Sequence, residues 1–199
     1  FSGTATTGDI SDSGNLEITG AATFITTAAG RDIILDQSGN VFTSTVTMQA
    51  GNGSNAAFDD ITFVDSAAVR LHSSAASAGD LYINASTDGE VGGALSITAT
   101  TGNITQGVAV AVTGTTTLKA TTSNNITLDN TSNNFQGAVK ITSGNDVTLV
   151  DAGAIDLGAS TVSGIYDVTA TSGNITDSGN LTITGATTFT AASGQNVYL

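Results

Sequence analysis

The stretch Val139-Lys140-Ile141-Thr142-Ser143-Gly144-Asn145-Asp146-Val147-Thr148-Leu149-Val150-Asp151-Ala152-Gly153-Ala154-Ile155-Asp156-Leu157 contains one small pattern three times. Each copy is a large apolar residue, a polar residue and a second large apolar residue, centred on Lys140, Thr148 and Asp156. Successive side chains of a strand point to opposite faces, so each triplet buries two side chains and offers the middle one to solvent. The residues between triplets are mostly Gly, Asn, Asp, Ser and Ala, largely turn formers. Strands this short and this close together suit a coil that turns a corner after each strand and stacks on the coil below. They do not suit an antiparallel sandwich of longer strands.

The same triplet runs along the chain. It recurs as Leu16-Glu17-Ile18, Val46-Thr47-Met48, Ile61-Thr62-Phe63, Val69-Arg70-Leu71 and Leu81-Tyr82-Ile83. It continues as Leu95-Ser96-Ile97, Ile126-Thr127-Leu128 and Leu181-Thr182-Ile183. No stretch shows large apolar residues at helical spacing, so helix is expected to be essentially absent. The triplets predict that Leu16, Ile18, Val139, Ile141, Val147, Leu149, Ile155, Leu157, Leu181 and Ile183 are buried. They place Glu17, Lys140, Thr148, Asp156 and Thr182 outside.

Longer units repeat as well. Residues 8–24 return at 173–189 with thirteen of seventeen positions identical, and a looser copy begins at Gly102-Asn103-Ile104-Thr105-Gln106. The copies start at 8, 102 and 173, so the two periods are 94 and 71 residues. About seven surplus residues fall between Met48 and Asp60, and about fifteen between Leu71 and Leu95, where Leu81-Tyr82-Ile83 is an additional triplet. A solenoid tolerates both, because each coil touches only its neighbours. The expected fold is therefore all-β: a parallel β-helix, or β-solenoid, of about nine coils at roughly 20 to 24 residues each. It occupies residues 1–199 as one continuous body. The repeat phasing leads us to expect a window of a longer solenoid, since Phe1 aligns with Tyr166 inside a unit and 196–199 align with 125–128.

Composition agrees and excludes much else. Among 199 residues there are 17 acidic and 4 basic ones, a net charge of −13, which argues against nucleic acid as a partner. No cysteine is present, so disulfides and thiolate chemistry are excluded. Proline is absent too, as expected when strands pair on both edges. No apolar run is long enough for a membrane-spanning helix.

The alternation of Gly-Asn-Ile-Thr, Asn-Leu-Thr-Ile-Thr-Gly and Asp129-Asn130-Thr131-Ser132-Asn133-Asn134-Phe135-Gln136-Gly137-Ala138-Val139 resembles the repetitive shaft of filamentous-haemagglutinin-like exoproteins. These are bacterial two-partner-secretion adhesins and related autotransporter-type surface proteins. The resemblance implies a right-handed parallel β-helix, an extracellular location and a role as stalk or adhesin. It carries no catalytic residue onto this chain.

The few chemically capable residues read as structural. His72, the single histidine, follows a strand and has Ser73 and Ser74 beside it without a nearby acid. Asp59-Asp60 and Asp9/Asp12 could offer carboxylates to calcium, yet the glycine-rich nonapeptide of calcium-binding β-rolls is missing, so turn capping is the reading. Of the cations Arg31, Arg70, Lys119 and Lys140, only Arg31 has two close carboxylates in sequence, Asp32 and Asp36, a surface ion pair. Asn-x-Ser/Thr at Asn52, Asn84, Asn103, Asn125, Asn130, Asn174 and Asn180 reads as stacked amide ladders. Glu17, Arg70, Tyr82, Lys140 and Asp156 interrupt any uniform threonine row of the kind that binds ice. The expectation is a non-enzymatic shaft with no catalytic residue, metal or cofactor. Its expected partners are neighbouring coils of the same chain or end-to-end copies, with no nucleic acid and no membrane insertion. The alternative reading is a glycan- or ice-binding β-solenoid module, with host or environmental glycans as ligands.

Overall fold

The computed structural model describes residues 1–50, 60–66, 69–72, 80–83, 90–91 and 93–199, with the strand backbone alone at 69–72, 80–83 and 90. Among these residues every regular element is a strand and every strand pairing is parallel. The chain is a parallel β-solenoid.

Two long sheets form its faces. The first stacks Ser2–Ala5, Ala22–Thr26, Val46–Gln49, Asp80–Ile83, Val69–His72, Ile104–Gln106, Ile126–Leu128, Val147–Asp151, Tyr166–Ala170 and Thr187–Ala191 in that order. The second stacks Ile10–Ser11, Ile33–Leu35, Ile61–Asp65, Leu95–Ala99, Thr116–Lys119, Val139–Ser143, Ile155–Leu157, Ile175–Asp177 and Val197–Tyr198. Nine strands in the second sheet enclose about eight turns, in line with the coil count expected from the spacing. The first sheet has a tenth strand, which is the surplus triplet Leu81-Tyr82-Ile83. It lies beside Val46–Gln49 and beneath Val69–His72, so the chain order is locally inverted there.

Short side strands occupy the links between the faces. Glu17–Ile18 and Val41–Phe42 pair on the link that runs from the second sheet to the first. Glu90–Val91, Ala111–Val112 and Asn134–Phe135 pair on the opposite link, from the first sheet to the second. Ser160–Val162 and Leu181–Ile183 are again on the second-to-first link.

Repeated positions consequently change faces. Ile10 and Ile175 lie in the second sheet, whereas their counterpart Ile104 lies in the first. Ala22–Thr26 and Thr187–Ala191 lie in the first sheet, and the matching Thr116–Lys119 lies in the second. The cause is arithmetic. From Ile104–Gln106 up to the next copy at Ile175–Asp177 the chain lays down seven facial strands. An odd number of strands is a whole number of turns plus a half.

The interior is one column of apolar side chains. Val139, Ile141, Val147, Leu149, Ile155 and Leu157 are buried as the triplets predict. The buried Phe24, Phe42 and Phe63 fill the lower coils and the exposed Phe1 stacks on their end, with successive centroid spacings from Phe1 of 5.2, 6.3 and 5.1 Å. The repeat counterpart of Phe1 and Phe24 is the edge-on pair Tyr166–Phe189 at 5.8 Å.

Four expected core residues depart from the prediction. Leu16, Ile18, Leu181 and Ile183 are only partly buried, because they belong to the first and last coils, where one side of the column has no coil over it. Two expected surface residues are half-buried. Thr148 lies between the outward side chains of Thr127 and Asp167, and Asp156 lies beside Thr176. Glu17, Lys140 and Thr182 are exposed as expected.

Candidate functional site

In most coils the residue that precedes one of the facial strands is Asp or Asn. Its side chain accepts the backbone N–H of the equivalent residue one coil up. On the second sheet Asp9 accepts from Asp32 (3.2 Å), Asp32 from Asp60 (2.9 Å) and Asp60 from Ala94 (2.6 Å). The next unit repeats the ladder on the first sheet. There Asn103 accepts from Asn125 (2.8 Å), Asn125 from Asp146 (3.2 Å) and Asp146 from Ile165 (2.8 Å). A third ladder starts on the second sheet, where Asn174 accepts from Asn196 (2.9 Å). Asp9 and Asp60 are thus turn-capping residues that tie coils together, and the ladders alternate faces with the units.

The asparagine ladders differ in kind from the amide-on-amide stack that sequence suggested. Their rungs are side-chain oxygen to backbone N–H, which satisfies a donor that the strand ladder leaves over. One true amide contact adds to them, Asn145 Nδ2 donating to Asn125 Oδ1 at 3.0 Å. Asn130 instead closes its own turn by accepting from the Ser132 N–H (2.9 Å), and Asn180 is exposed. Asn52, Asn84 and Asp59 lie outside the described residues, as do the side chains of Arg70, His72 and Tyr82.

Arg31 forms an ion pair with Asp9 of the coil below at 3.7 Å. In a solenoid the neighbour one turn away is as close as a sequence neighbour. Both partners are more than 40% exposed, so the pair contributes little to stability. Asp12 accepts from the Asp36 N–H (3.1 Å) and from Asn40 Nδ2 (2.6 Å). Among the described residues no group of three or more His, Cys, Asp or Glu side chains is placed to hold a metal ion.

Outward threonines do line up on the first sheet. Thr105, Thr127, Thr148 and Thr188 occupy one register position on the first sheet, with Asp167 between the last two. The row is a single residue wide, since the strand Ile126–Leu128 offers only its middle residue outward.

Deeper in the links lie polar residues that sequence reasoning missed. Asn40 is fully buried; its Oδ1 accepts the Leu16 N–H (2.8 Å) and its Nδ2 donates to Asp12. Asn133 is its repeat counterpart. It accepts from the Val110 N–H (2.9 Å) and donates to Gln106 Oε1 (3.0 Å) and to the carbonyls of Leu128 (3.2 Å) and Val150 (3.0 Å). Asp65 and Asp151 form a second buried pair. Asp65 Oδ1 accepts the Phe42 N–H at 3.3 Å, and Asp151 Oδ2 accepts the Phe135 N–H at 2.7 Å. Asp151 Oδ1 also accepts from Gly153 (2.6 Å).

Burial pushes the Asp151 carboxyl above its ordinary 3.8, against the downward pull of its two N–H donors. A carboxyl raised on folding binds its proton more tightly in the folded state. Its contribution to stability is therefore greatest below pH 3.8 and falls as pH rises through the folded-state value. Asp151→Asn has no such titration. The variant's stability relative to wild type is expected to increase as pH is raised from below 3.8 to neutrality, measured as urea midpoints at both ends. A difference that does not change with pH contradicts this assignment.

This arrangement defines a class: a parallel β-solenoid whose polar side chains hold one coil to the next. The chain belongs to the family described as repeats of unknown function (DUF5649), which matches residues 1–49, 59–142 and 144–199. Each matched stretch contains one of the three repeat copies that start at 8, 102 and 173. No curated protein and no solved structure matches the chain.

Proposed function

We propose that this protein is a non-enzymatic structural shaft segment of a bacterial extracellular adhesin or surface fibre. The observation that supports this reading is where its reactive side chains go. The carboxylates and amides of Asp9, Asp32, Asp60, Asn103, Asn125 and Asp146 accept hydrogen bonds from the next coil, and Asn40, Asn133, Asp65 and Asp151 are buried in the links. Backbone hydrogen bonds and side-chain ladders run along the same axis, the direction in which a stalk is loaded.

Its partners, on this reading, are further coils of the same kind, in one longer chain or in copies stacked end to end. Support comes from the ladders, in which a side chain of one coil accepts the backbone N–H of the next, so that coils of this kind complete one another. The haemagglutinin-like resemblance of the repeats is consistent with location at the cell surface.

The competing reading is a binding module for glycans or ice, for which the threonine row is the supporting feature. A glycan array and an ice-recrystallisation assay on residues 1–199 decide between them. No glycan retained and ice growth unchanged are the expected results. A clear hit in either assay overturns the purely structural role.

A further inference from the structure

The two buried carboxylates sit where a column of side strands stops. Val41–Phe42 is the last strand of its column, and its backbone is bonded downward, with the Val41 N–H on the Leu16 carbonyl (2.8 Å) and the Thr43 N–H on the Ile18 carbonyl (3.1 Å). In a parallel ladder the intervening Phe42 N–H points up, toward the next coil. Among the described residues that coil has no side strand on this link. Asp65, at the end of Ile61–Asp65, supplies the acceptor instead. The Ser66 N–H then bonds to the Asn40 carbonyl at 2.8 Å, closing the corner.

The arrangement repeats 93 residues later in Phe42's counterpart. Asn134 and Gln136 donate downward to Val110 (3.0 Å) and Val112 (2.9 Å), the Phe135 N–H points up to Asp151, and the Ala152 N–H bonds to the Asn133 carbonyl at 2.7 Å. Among the described residues the side strands resume on the opposite link after each carboxylate: Val41–Phe42 is followed by Glu90–Val91, and Asn134–Phe135 by Ser160–Val162.

We propose that Asp65 and Asp151 are switch residues: each ends one column of side strands by capping the upward N–H of its phenylalanine, and so transfers the column to the other side of the solenoid. Without a capping acceptor that N–H would be buried and unsatisfied in a coil that offers it no strand, at a cost that disfavours skipping the strand. The cap makes a direct passage between faces possible, as from Val147–Asp151 to Ile155–Leu157, and the side column then re-forms at the other edge. The signature is Asn-x-Phe answered by Val-Asp one coil on. It reads Asn40-Val41-Phe42 with Val64-Asp65, and Asn133-Asn134-Phe135 with Val150-Asp151.

Amide hydrogen exchange on the intact 199-residue chain, followed residue by residue by NMR, tests this. Asp151→Ala is expected to lower the protection of the Phe135 N–H by at least about tenfold relative to the Ile126 and Val147 amides of the same molecule. Asp65→Ala is expected to do the same at Phe42. Asp151→Asn keeps an oxygen at the capping position and is expected to retain Phe135 protection within about threefold of wild type. Unchanged relative protection of Phe135 in Asp151→Ala overturns the proposal. So does its loss in Asp151→Asn, the result that decides the matter if the alanine variant does not fold.

Discussion

Gly137→Ala is expected to destabilise the solenoid by about 3 kcal/mol, while the same change at Gly20 shifts stability by less than about 0.5 kcal/mol. A Cβ on Gly137 would stand 2.4 Å from the Gly114 carbonyl oxygen of the coil below, and one on Gly114 would stand 2.6 Å from that of Gly93. The contact is with backbone, not with the tip of a movable side chain. Relief therefore requires two coils to separate or twist, which strains the ladder on both faces. Gly185 meets the Gly164 carbonyl in the same way, at 2.3 Å. Gly20, Gly114 and Gly185 occupy one position of the repeat, but a Cβ on Gly20, in the first coil, meets nothing within 4 Å. Urea unfolding of the two variants separates the cause. A large loss at both positions points to intrinsic turn conformation. A loss at Gly137 with none at Gly20 points to close approach of stacked backbones.

Ile141→Ala is expected to cost about 2–4 kcal/mol. Ile141 is fully buried, paired with Leu118 below and donating its N–H to the Ser160 hydroxyl above at 3.1 Å, with Val139 in the same strand paired to Leu157. Deleting three carbons leaves a void that a close-packed column closes poorly, because the strands above and below are fixed by hydrogen bonds at both edges. Replacing Lys140, which faces outward in the same strand, is expected to change stability by less than about 0.5 kcal/mol. Equal losses at both positions, measured from the denaturant midpoint at constant slope, contradict the inside–outside alternation.

That alternation carried most of the fold at the level of sequence. Two apolar residues around one polar residue define a strand too short for other sheet architectures, and the repeats define stacking. What it missed lies where polar residues break the rule. Ile61, Phe63 and Asp65 share one face of a strand by simple alternation, as do Val147, Leu149 and Asp151, so both carboxylates point inward. An aspartate beside Ser or Ala-Gly reads naturally as the start of a turn, and the inward phase of the strand was the signal that could have corrected that reading. Most of the side strands were equally hard to see. Glu17–Ile18 and Leu181–Ile183 fall in triplets that the alternation had marked, but the other side strands are two or three residues long and only their pairing between coils marks them. The ladders of Asp and Asn were visible as repeated turn residues. Their bonding to backbone N–H groups one coil away was not, because the donors are some 20 residues distant in sequence.

The exchange of faces between units bears on how such a chain grows. Equivalent strands serve in either sheet, and equivalent ladders serve on either edge, so the two walls of the solenoid are interchangeable. The smallest increment that keeps the stack in phase is consequently a half-turn, not a full circuit. Duplication or loss of a block need not begin and end above the same point of the cross-section, which doubles the number of breakpoints that leave a continuous body. A further result is that the rod has no front or back. A feature encoded once in the unit emerges alternately to the left and the right, and a neighbour lying along one flank meets the pattern that a second neighbour meets along the other.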